Sequence, residues 1–470
     1  MFSTREDRSD GLDLRTVRYG PEEVCSRLYF AVRDRWWRTA PLSIVRSRRG
    51  VTGTGFVHEI DAVTGWDSHP VEVALRYVAD GAELTAEVTA TARGSFTYGR
   101  IGWCVLFPMG AYSGRPAVSW RAGVATEFGF PTEVVTRDLR TPASTRFHRP
   151  FDVVDTTLAP GTRVRFSFQG AEFELEDQRN WTDASYKAYS IPPPGAHRPL
   201  STVDGQRFTQ RVRIRVEPAG LPDGARDPAV SVGAPVAVVP SIGLFDGRLS
   251  PRSFRPGGGF HDLNARPLGP ADLATHDSIE LPVNGAVHAA DDDSVLETTA
   301  MHGILVAQIR ATYPDVPVRL APVSFRDVAG DWLDRADRYA PEPPDGPLSD
   351  RLLSGFAATW VIASAARALP EGPDMLRYFD AAMPPDTPAA RAVARLHALR
   401  GRPVLTVRAL EPLAALAVGT DHGITLAVAN TGPDPIRFRL PDGRDGALDA
   451  FASAWFDLSH VPRPTTRTAR

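Results

Sequence analysis

A chain of 470 residues exceeds one ordinary domain of roughly 100–200 residues and implies two to four of them. Its 53 basic residues against 56 acidic ones leave a formal charge of −3, too weak a field to mark nucleic acid or an anionic membrane as a partner. Two cysteines, Cys25 and Cys104, form neither a disulfide framework nor a CxxC pair, and no His/Cys/Asp/Glu group has metal-ligand spacing. They read as core thiols, and neither a metal nor a cofactor is expected.

The N-terminus, MFSTREDRSD, is charged and lacks the apolar stretch of a signal peptide. No run approaches the roughly 18 apolar residues of a membrane span, so a soluble, cytoplasmic protein is expected.

From about residue 10 to 218, short alternating runs are divided by Gly, Pro and Asp, the pattern of an antiparallel β-sandwich. Val71–Tyr77, Glu83–Thr91, Arg100–Phe107, Arg163–Phe168, Glu172–Glu176 and Gln210–Val216 are its clearest strands. The segment 164–176 reads as a hairpin turning at Gln169–Gly170, with Phe166, Phe168, Phe173 and Leu175 as its apolar surface.

That hairpin delivers the chain into Glu176-Asp177-Gln178-Arg179-Asn180-Trp181-Thr182-Asp183, followed by Ala184-Ser185-Tyr186-Lys187. Polar clusters at strand ends are where sites are built, although a solvated, ion-paired loop has the same composition. Two features favour a site. Trp181 and Tyr186 offer faces for a sugar ring, and Lys187 is the only lysine of the chain. An ammonium titrates under burial where a guanidinium does not.

Residues 219–235 are rich in Pro, Gly and Asp and read as a linker. Beyond it, apolar strands at Val236–Leu244, Ser278–Val283 and Val318–Val323 alternate with helices over 294–312, 349–369 and 387–399, the order of a parallel α/β domain over 236–400. In the first helix, Ser294 and Glu297 fit a capping box, and Ala300, Ile304, Ala307 and Ala311 a buried stripe. The length suits five or six strand-helix units, fewer than the eight of a full barrel of about 250 residues. From residue 401 to 460 short strands return as a small β domain, and residues 461–470 read as a disordered tail. The fold class is therefore α+β and multidomain: an N-terminal antiparallel β-sandwich over 1–218, a partial (β/α) barrel-like domain, and a small C-terminal β domain.

In the α/β part, His261, Asp262 and Asn264 follow a glycine triplet, His288 follows a strand, and Asp380 ends another in Tyr378-Phe379-Asp380. At the carboxyl ends of parallel strands such residues line an active-site rim. A glycine-rich turn and a satisfied lone histidine explain the same letters. No GxSxG elbow and no GxGxxG or GxxxxGK loop is present, which disfavours a serine esterase and a nucleotide site.

The run EDQRNWTDASYK, preceded by FEL and followed by AYSIPPP, resembles the signature of the D-apionate lactonase family. Ala31–Trp36 and Arg100–Leu106 are similar to stretches of that family's first domain, and Gly258–Arg266, Val287–Glu297 and Ala321–Ser324 to successive barrel strands. The resemblance implies a hydrolase that opens a branched sugar-acid lactone, with a small sugar acid or lactone as partner. Members of the family carry several strand-helix units between the equivalents of Leu244 and Gly257, where this chain has a dozen residues, and glutamate where Asp262 and Asp380 stand.

By residue type, Asp177 or Asp183 is the expected base, Arg179 and Lys187 polarise the carbonyl or anchor substrate, and Asn180 orients by hydrogen bonding. Glu176, Trp181, Tyr186, Asp262, Asn264, His288 and Asp380 are the expected substrate contacts. Two rivals accompany this reading: a non-catalytic or repurposed carbohydrate-binding relative, and a glycoside hydrolase using Asp262 and Asp380.

Overall fold

The computed structural model describes residues 2–6, 12–35, 38–134, 146–158, 161–192, 200–218, 228–248, 250–256, 259–289, 291–325, 349–379 and 383–459. The chain divides into two compact units, Met1–Gln178 with Ser185–Asp223, and Arg179–Ala184 with Gly224–Arg470.

In the first unit, an eight-stranded sheet runs Phe2–Glu6, Leu14–Tyr19, Glu22–Asp34, Thr97–Pro108, Ser185–Ser190, Phe173–Asp177 and Arg146–Phe151, with Leu200–Ser201 also pairing Thr97–Pro108. A nine-stranded sheet runs Val124–Gly129, Pro116–Arg121, Val153–Thr157, Arg163–Gln169, Arg207–Glu217, Glu83–Ala92, Val71–Asp80, Gly55–Thr64 and Leu42–Thr52. Both are antiparallel, and the core joins residues of the two: Phe30, Trp103, Phe107 and Tyr186 from one, Val73, Tyr77, Phe166 and Ile214 from the other. Strict alternation produces this, since Val71, Val73, Leu75, Tyr77 and Ala79 are buried while Glu72, Ala74 and Arg76 are exposed.

The expected hairpin over 164–176 does not form. Arg163–Gln169 pairs with Val153–Thr157 and Arg207–Glu217, whereas Phe173–Asp177 lies in the other sheet between Arg146–Phe151 and Ser185–Ser190. Both strands bury apolar side chains, Val164, Phe166 and Phe168 on one and Phe173 and Leu175 on the other, and the chain buries both sets by crossing between sheets. Gly170 makes the corner at φ +85°, where a Cβ would lie 2.0 Å from the Thr209 carbonyl oxygen. The hairpin that carries the polar motif is instead Phe173–Asp177 with Ser185–Ser190, Asp177 facing Tyr186 and Glu176 facing Lys187.

The second unit holds a five-stranded parallel sheet in the order Ser241–Leu244, Met375–Tyr378, Val318–Ser324, Ser278–Asn284 and Ser253–Phe254. Its first strand in the chain pairs with its last, as in a barrel, and among the described residues its edge strands are the first and second. Helices Thr299–Thr312, Gly355–Ala368 and Pro388–Ala398 accompany it. The buried stripe of the first is Met301, Leu305 and Ile309 with His302 and Val306, one position round from the expected alanines. Leucine, isoleucine and methionine bury more apolar area than alanine, so the larger side chains set the rotation. The preceding short helix, Asp292–Glu297, is capped by Asp291, whose carboxylate accepts from the Ser294 backbone N–H, not by Ser294.

An antiparallel sheet, Ser231–Val238, Pro403–Arg408, Leu413–Thr420, Gly423–Asn430 and Ser453–Leu458, belongs to the same unit, with Leu413–Thr420 against helix Gly355–Ala368. Residues 231–235, read as linker, are thus strand, and 236–244 is divided at Val239–Pro240 between two sheets. The tail 461–470 lies outside the described residues.

Candidate functional site

The polar motif is divided between the two units. Gln178–Trp181 forms a 3-10 turn, after which Thr182 takes a left-handed φ of 71°, a strained conformation for a β-branched residue. Its hydroxyl donates to the Asn284 carbonyl oxygen at 2.8 Å. Asn284 ends the strand Ser278–Asn284, so residues 179–184 lie at the carboxyl end of a central parallel strand, where α/β folds place their sites.

Immediately beyond that strand, Gly285 N–H donates to the Ser324 carbonyl and Ala286 N–H to the Asn284 side chain, fixing the turn that leads to His288. Gly285 must be glycine, since a Cβ there would come within 2.7 Å of Thr298 Oγ1. His288 Nδ1 lies 2.5 Å from Asp183 Oδ2. The two side chains are 15 % and 19 % exposed, open enough for water to reach them and dry enough for their pairing to matter. With Nδ1 held by a carboxylate, Nε2 is the nitrogen left to accept a proton.

Around this dyad, the Trp181 ring stacks on His261 at 4.4 Å between centroids and 12° between planes, and meets His288 edge-on at 6.3 Å. Asn264 Nδ2 donates to Asn180 Oδ1 at 3.2 Å, and Asn264 Oδ1 accepts from Gln308 Nε2 at 3.0 Å. Helix Gly259–Ala265 carries both His261 and Asn264, whereas a strand end was expected there. Asp262, on the same helix, is 46 % exposed in its side chain and lies 3.4 Å from His261 Nδ1. Asp380 lies outside the described residues.

The other half of the motif stays on the sandwich. Lys187 is 2 % exposed; its Nζ donates to Gln178 Oε1 at 3.2 Å and sits 3.6 Å from Glu176. Burial lowers its pKa, and the Glu176 carboxylate opposes that shift. Asp177 and Arg179 are fully buried, which places them in the frame of the loop and not on its accessible face. Tyr186, expected to stack on a sugar, is a core residue: its ring packs on Phe130 and Phe147, and its hydroxyl donates to the Pro131 carbonyl at 2.5 Å. The parity of the strand explains it, because Tyr186 and Ala188 face the core while Lys187 and Tyr189 face the other way.

The structure therefore gathers Asn180, Trp181, Asp183, Asn264 and His288 in one unit, and Glu176 and Lys187 in the other. His261, a rim candidate in the sequence, joins the first group with the newly added Gln308, and Arg33, Arg100, Tyr29 and Tyr189 are added to the second. The second set carried one signal in the sequence, arginine and tyrosine at alternating positions in otherwise apolar strands. Among the described residues no group of three or more His, Cys, Asp or Glu side chains is arranged to hold a metal, and no helix is long and apolar enough to cross a membrane.

Residues 7–219 match the D-apionate lactonase N-terminal domain, and residues 255–417 its TIM barrel domain. A D-apionate lactonase from Brucella anthropi is 27 % identical over 250 residues, 51 % of this chain and 39 % of that protein. Solved structures align at low TM-scores. An aldose 1-epimerase from Escherichia coli gives 0.30 at 11 % identity over 44 % of this chain and 92 % of its own. An α-galactosidase from Geobacillus stearothermophilus gives 0.28 at 12 % identity over 91 % and 87 %. With both domains of one family matched in order along its length, the chain belongs to the D-apionate lactonase family.

Proposed function

We propose that the protein hydrolyses a sugar-acid lactone, with the Asp183–His288 dyad activating the water. The observation that carries this reading is the 2.5 Å contact of His288 Nδ1 with Asp183 Oδ2 at the carboxyl end of strand Ser278–Asn284. In the reaction, Nε2 of His288 takes a proton as water attacks the lactone carbonyl, and Asp183 stabilises the imidazolium that forms. The same imidazolium then returns the proton to the departing ring oxygen, which leaves as a hydroxyl of the open-chain acid. The Trp181–His261 stack, held rigid by the contact of the two rings, suits the carbon face of a sugar ring on its outer side. Family membership makes a branched aldonolactone such as apionolactone the first substrate to try.

A second reading, a sugar-binding protein without turnover, is favoured by the parallel sheet's having no closing strand among the described residues. One experiment separates the two: purified protein and a His288→Ala variant are given a panel of aldonolactones including apionolactone, and acid release is followed. Release by the parent and not by the variant supports hydrolysis at this dyad. Binding of lactone without release above the variant sinks it in favour of the second reading.

A further inference from the structure

The parallel sheet of the second unit has two faces, and one of them is not apolar. The Tyr378 hydroxyl meets Ser364 of helix Gly355–Ala368 at 3.0 Å, so Leu376 and Tyr378 face that helix and Arg377 faces away from it. The register carries the second face across the sheet: Arg377 stands level with Gly243, Met375 with Arg319, Arg319 with Glu280, and Ser278 with Ser253. Parallel strands covered on both sides are ordinarily unbroken apolar runs, and the inner face of a barrel is packed with branched side chains. Here three neighbouring strands each carry one ionic residue between two apolar ones, as Ile279-Glu280-Leu281, Val318-Arg319-Leu320 and Leu376-Arg377-Tyr378.

The side chains of this face converge. Arg377 lies over Gly243, where a Cβ would come within 2.7 Å of its Nη1. Arg319 reaches across the strand Ser278–Asn284, its Nη1 donating to Ser253 Oγ at 3.4 Å, and Ser253 Oγ meets Ser278 Oγ at 2.6 Å. Glu280 is 2 % exposed, yet its Oε1 has no hydrogen-bond partner. Arg255, just past the strand Ser253–Phe254 and half-buried, has two such atoms, Nε and Nη2. Burial raises the Glu280 pKa and the Arg255 charge is what most opposes it, so the two are neighbours, although no ion pair joins them. A buried acceptor and buried donors left unmade in one place are costly. The charges do not balance either. Arg255, Arg319 and Arg377 stand against Glu280, since Asp277, which accepts from Ser278 Oγ at 3.0 Å, is matched by Arg252 at 3.7 Å. All three arginines are only half-buried, so water and solutes reach the cluster.

We infer that this face binds a small oxyanion with a hydroxyl beside it, the chemistry shared by a hydroxycarboxylate and a phosphorylated polyol. The oxyanion takes the N–H groups of Arg255 and Arg319 in charge-assisted hydrogen bonds and offsets the surplus of cations. The hydroxyl donates to Glu280 Oε1, which an anion alone does not satisfy. A water bridging Glu280 and Arg255 satisfies their atoms but leaves the surplus as it is. Glu280 precedes Asn284 by four residues on one strand, about 13 Å at about 3.3 Å per residue, and Asn284 is the end that holds Thr182 beside the dyad. The site therefore lies towards the amino end of the same sheet, within the same unit, and does not rest on the lactonase reading.

The test is calorimetric titration of the full chain with gluconate and with glycerol 3-phosphate, each beside its bare anion, acetate or inorganic phosphate. The parent, Arg255→Met, Arg319→Met, Glu280→Met and His288→Ala proteins are compared, each with a thermal melt to establish folding. The expected result is binding of gluconate or glycerol 3-phosphate to the parent, the tighter of the two naming the class of ligand. That binding weakens at least tenfold in Arg255→Met and in Arg319→Met and persists in His288→Ala, while Glu280→Met narrows the preference over the bare anion. Where an arginine-to-methionine variant fails to fold, Arg255→Lys or Arg319→Lys, which keeps the charge but loses the fork, takes its place and still weakens binding several-fold. The inference is overturned if neither ligand binds the parent, if the bare anion binds as tightly as its hydroxylated counterpart, if the arginine variants bind as the parent does, or if only His288→Ala abolishes binding. The last result would place the anion at the dyad and leave the lactonase reading standing.

Discussion

Replacing Asp183 by Asn tests the dyad at its least ambiguous atom. The substitution keeps size and a hydrogen-bond acceptor for His288 Nδ1, so the imidazole can stay where it is, 2.5 Å from the side-chain oxygen. What it removes is the negative charge that stabilises the imidazolium as Nε2 takes the proton of water. Two unit charges about 4 Å apart attract by about 4 kcal/mol at an effective dielectric constant of about 20. Partial exposure of both side chains, 15 % and 19 %, trims that figure, to about 3 kcal/mol by the same relation. At 1.36 kcal/mol per decade, this is a fall in kcat of about 10²-fold, inside the range for general-base catalysis. Because the charge matters only once the proton moves, KM should change by less than about threefold. A pH-stat assay of lactone opening measures both constants. The Asp183→Asn/His288→Ala double variant should be no slower than His288→Ala alone, since the carboxylate acts through the imidazole. The reasoning is refuted if Asp183→Asn keeps more than a third of the parental kcat, or if the two losses multiply.

Trp181→Ala should raise KM several-fold with a smaller effect on kcat, because the stacked Trp181–His261 wall contacts substrate in ground and transition states alike; the same assay reads the split. Gly170→Ala should destabilise the fold by several kcal/mol, the cost of a Cβ 2.0 Å from a backbone oxygen at a positive φ, measured by urea unfolding. His302 is fully buried with its Nδ1 on Ser364, and burial lowers its pKa from 6.5 to about 3. The unfolded chain takes up that proton more readily, so stability is full above about pH 6.5 and drains as pH falls towards 3, by at most about 1.4 kcal/mol per pH unit. A His302→Leu protein should show a flatter acid limb in urea melts across that window, and an unchanged limb counts against the buried neutral histidine.

Much of the sandwich was legible because its strands alternate without interruption. Val71–Asp80 and Arg207–Glu217 bury every second residue, and period two is the strongest strand signal a sequence offers. The crossing at Gly170 was not legible, since a glycine between two apolar strands reads equally as a hairpin turn and as a corner between sheets. The motif was legible as a place but not as an arrangement. A 3-10 turn and one left-handed threonine put neighbours such as Trp181 and Asp183 beside residues about 80 to 105 positions away, and such pairings have no local signature. His288 was recognised by its position after a strand. Its partner required the fold. Arg33 and Arg100 offered only their place in otherwise apolar strands, and in an arginine-rich chain of net charge −3 a buried arginine has the same letter as a solvated one.

The order of the parallel sheet bears on what the shortened barrel retains. A closed barrel pairs its first strand with its last and its first with its second; here Ser241–Leu244 pairs with Met375–Tyr378, yet among the described residues the outer edges of Ser241–Leu244 and Ser253–Phe254 have no partner strand. The opening therefore falls between strands consecutive in the chain, where the resemblance to longer family members places their additional strand-helix units. Asp183 and His288 stand at the strand Ser278–Asn284, which has partners on both sides, and His261 and Asn264 on the helix that follows Ser253–Phe254. The residues proposed to activate water thus rest on retained strands, while among the described residues no strand closes the sheet. Enclosure serves a reaction chiefly by excluding water and strengthening fixed charges. Opening a lactone consumes water as the nucleophile, so of these two benefits only the second is forgone, and it is forgone in proportion to the exposure of the dyad.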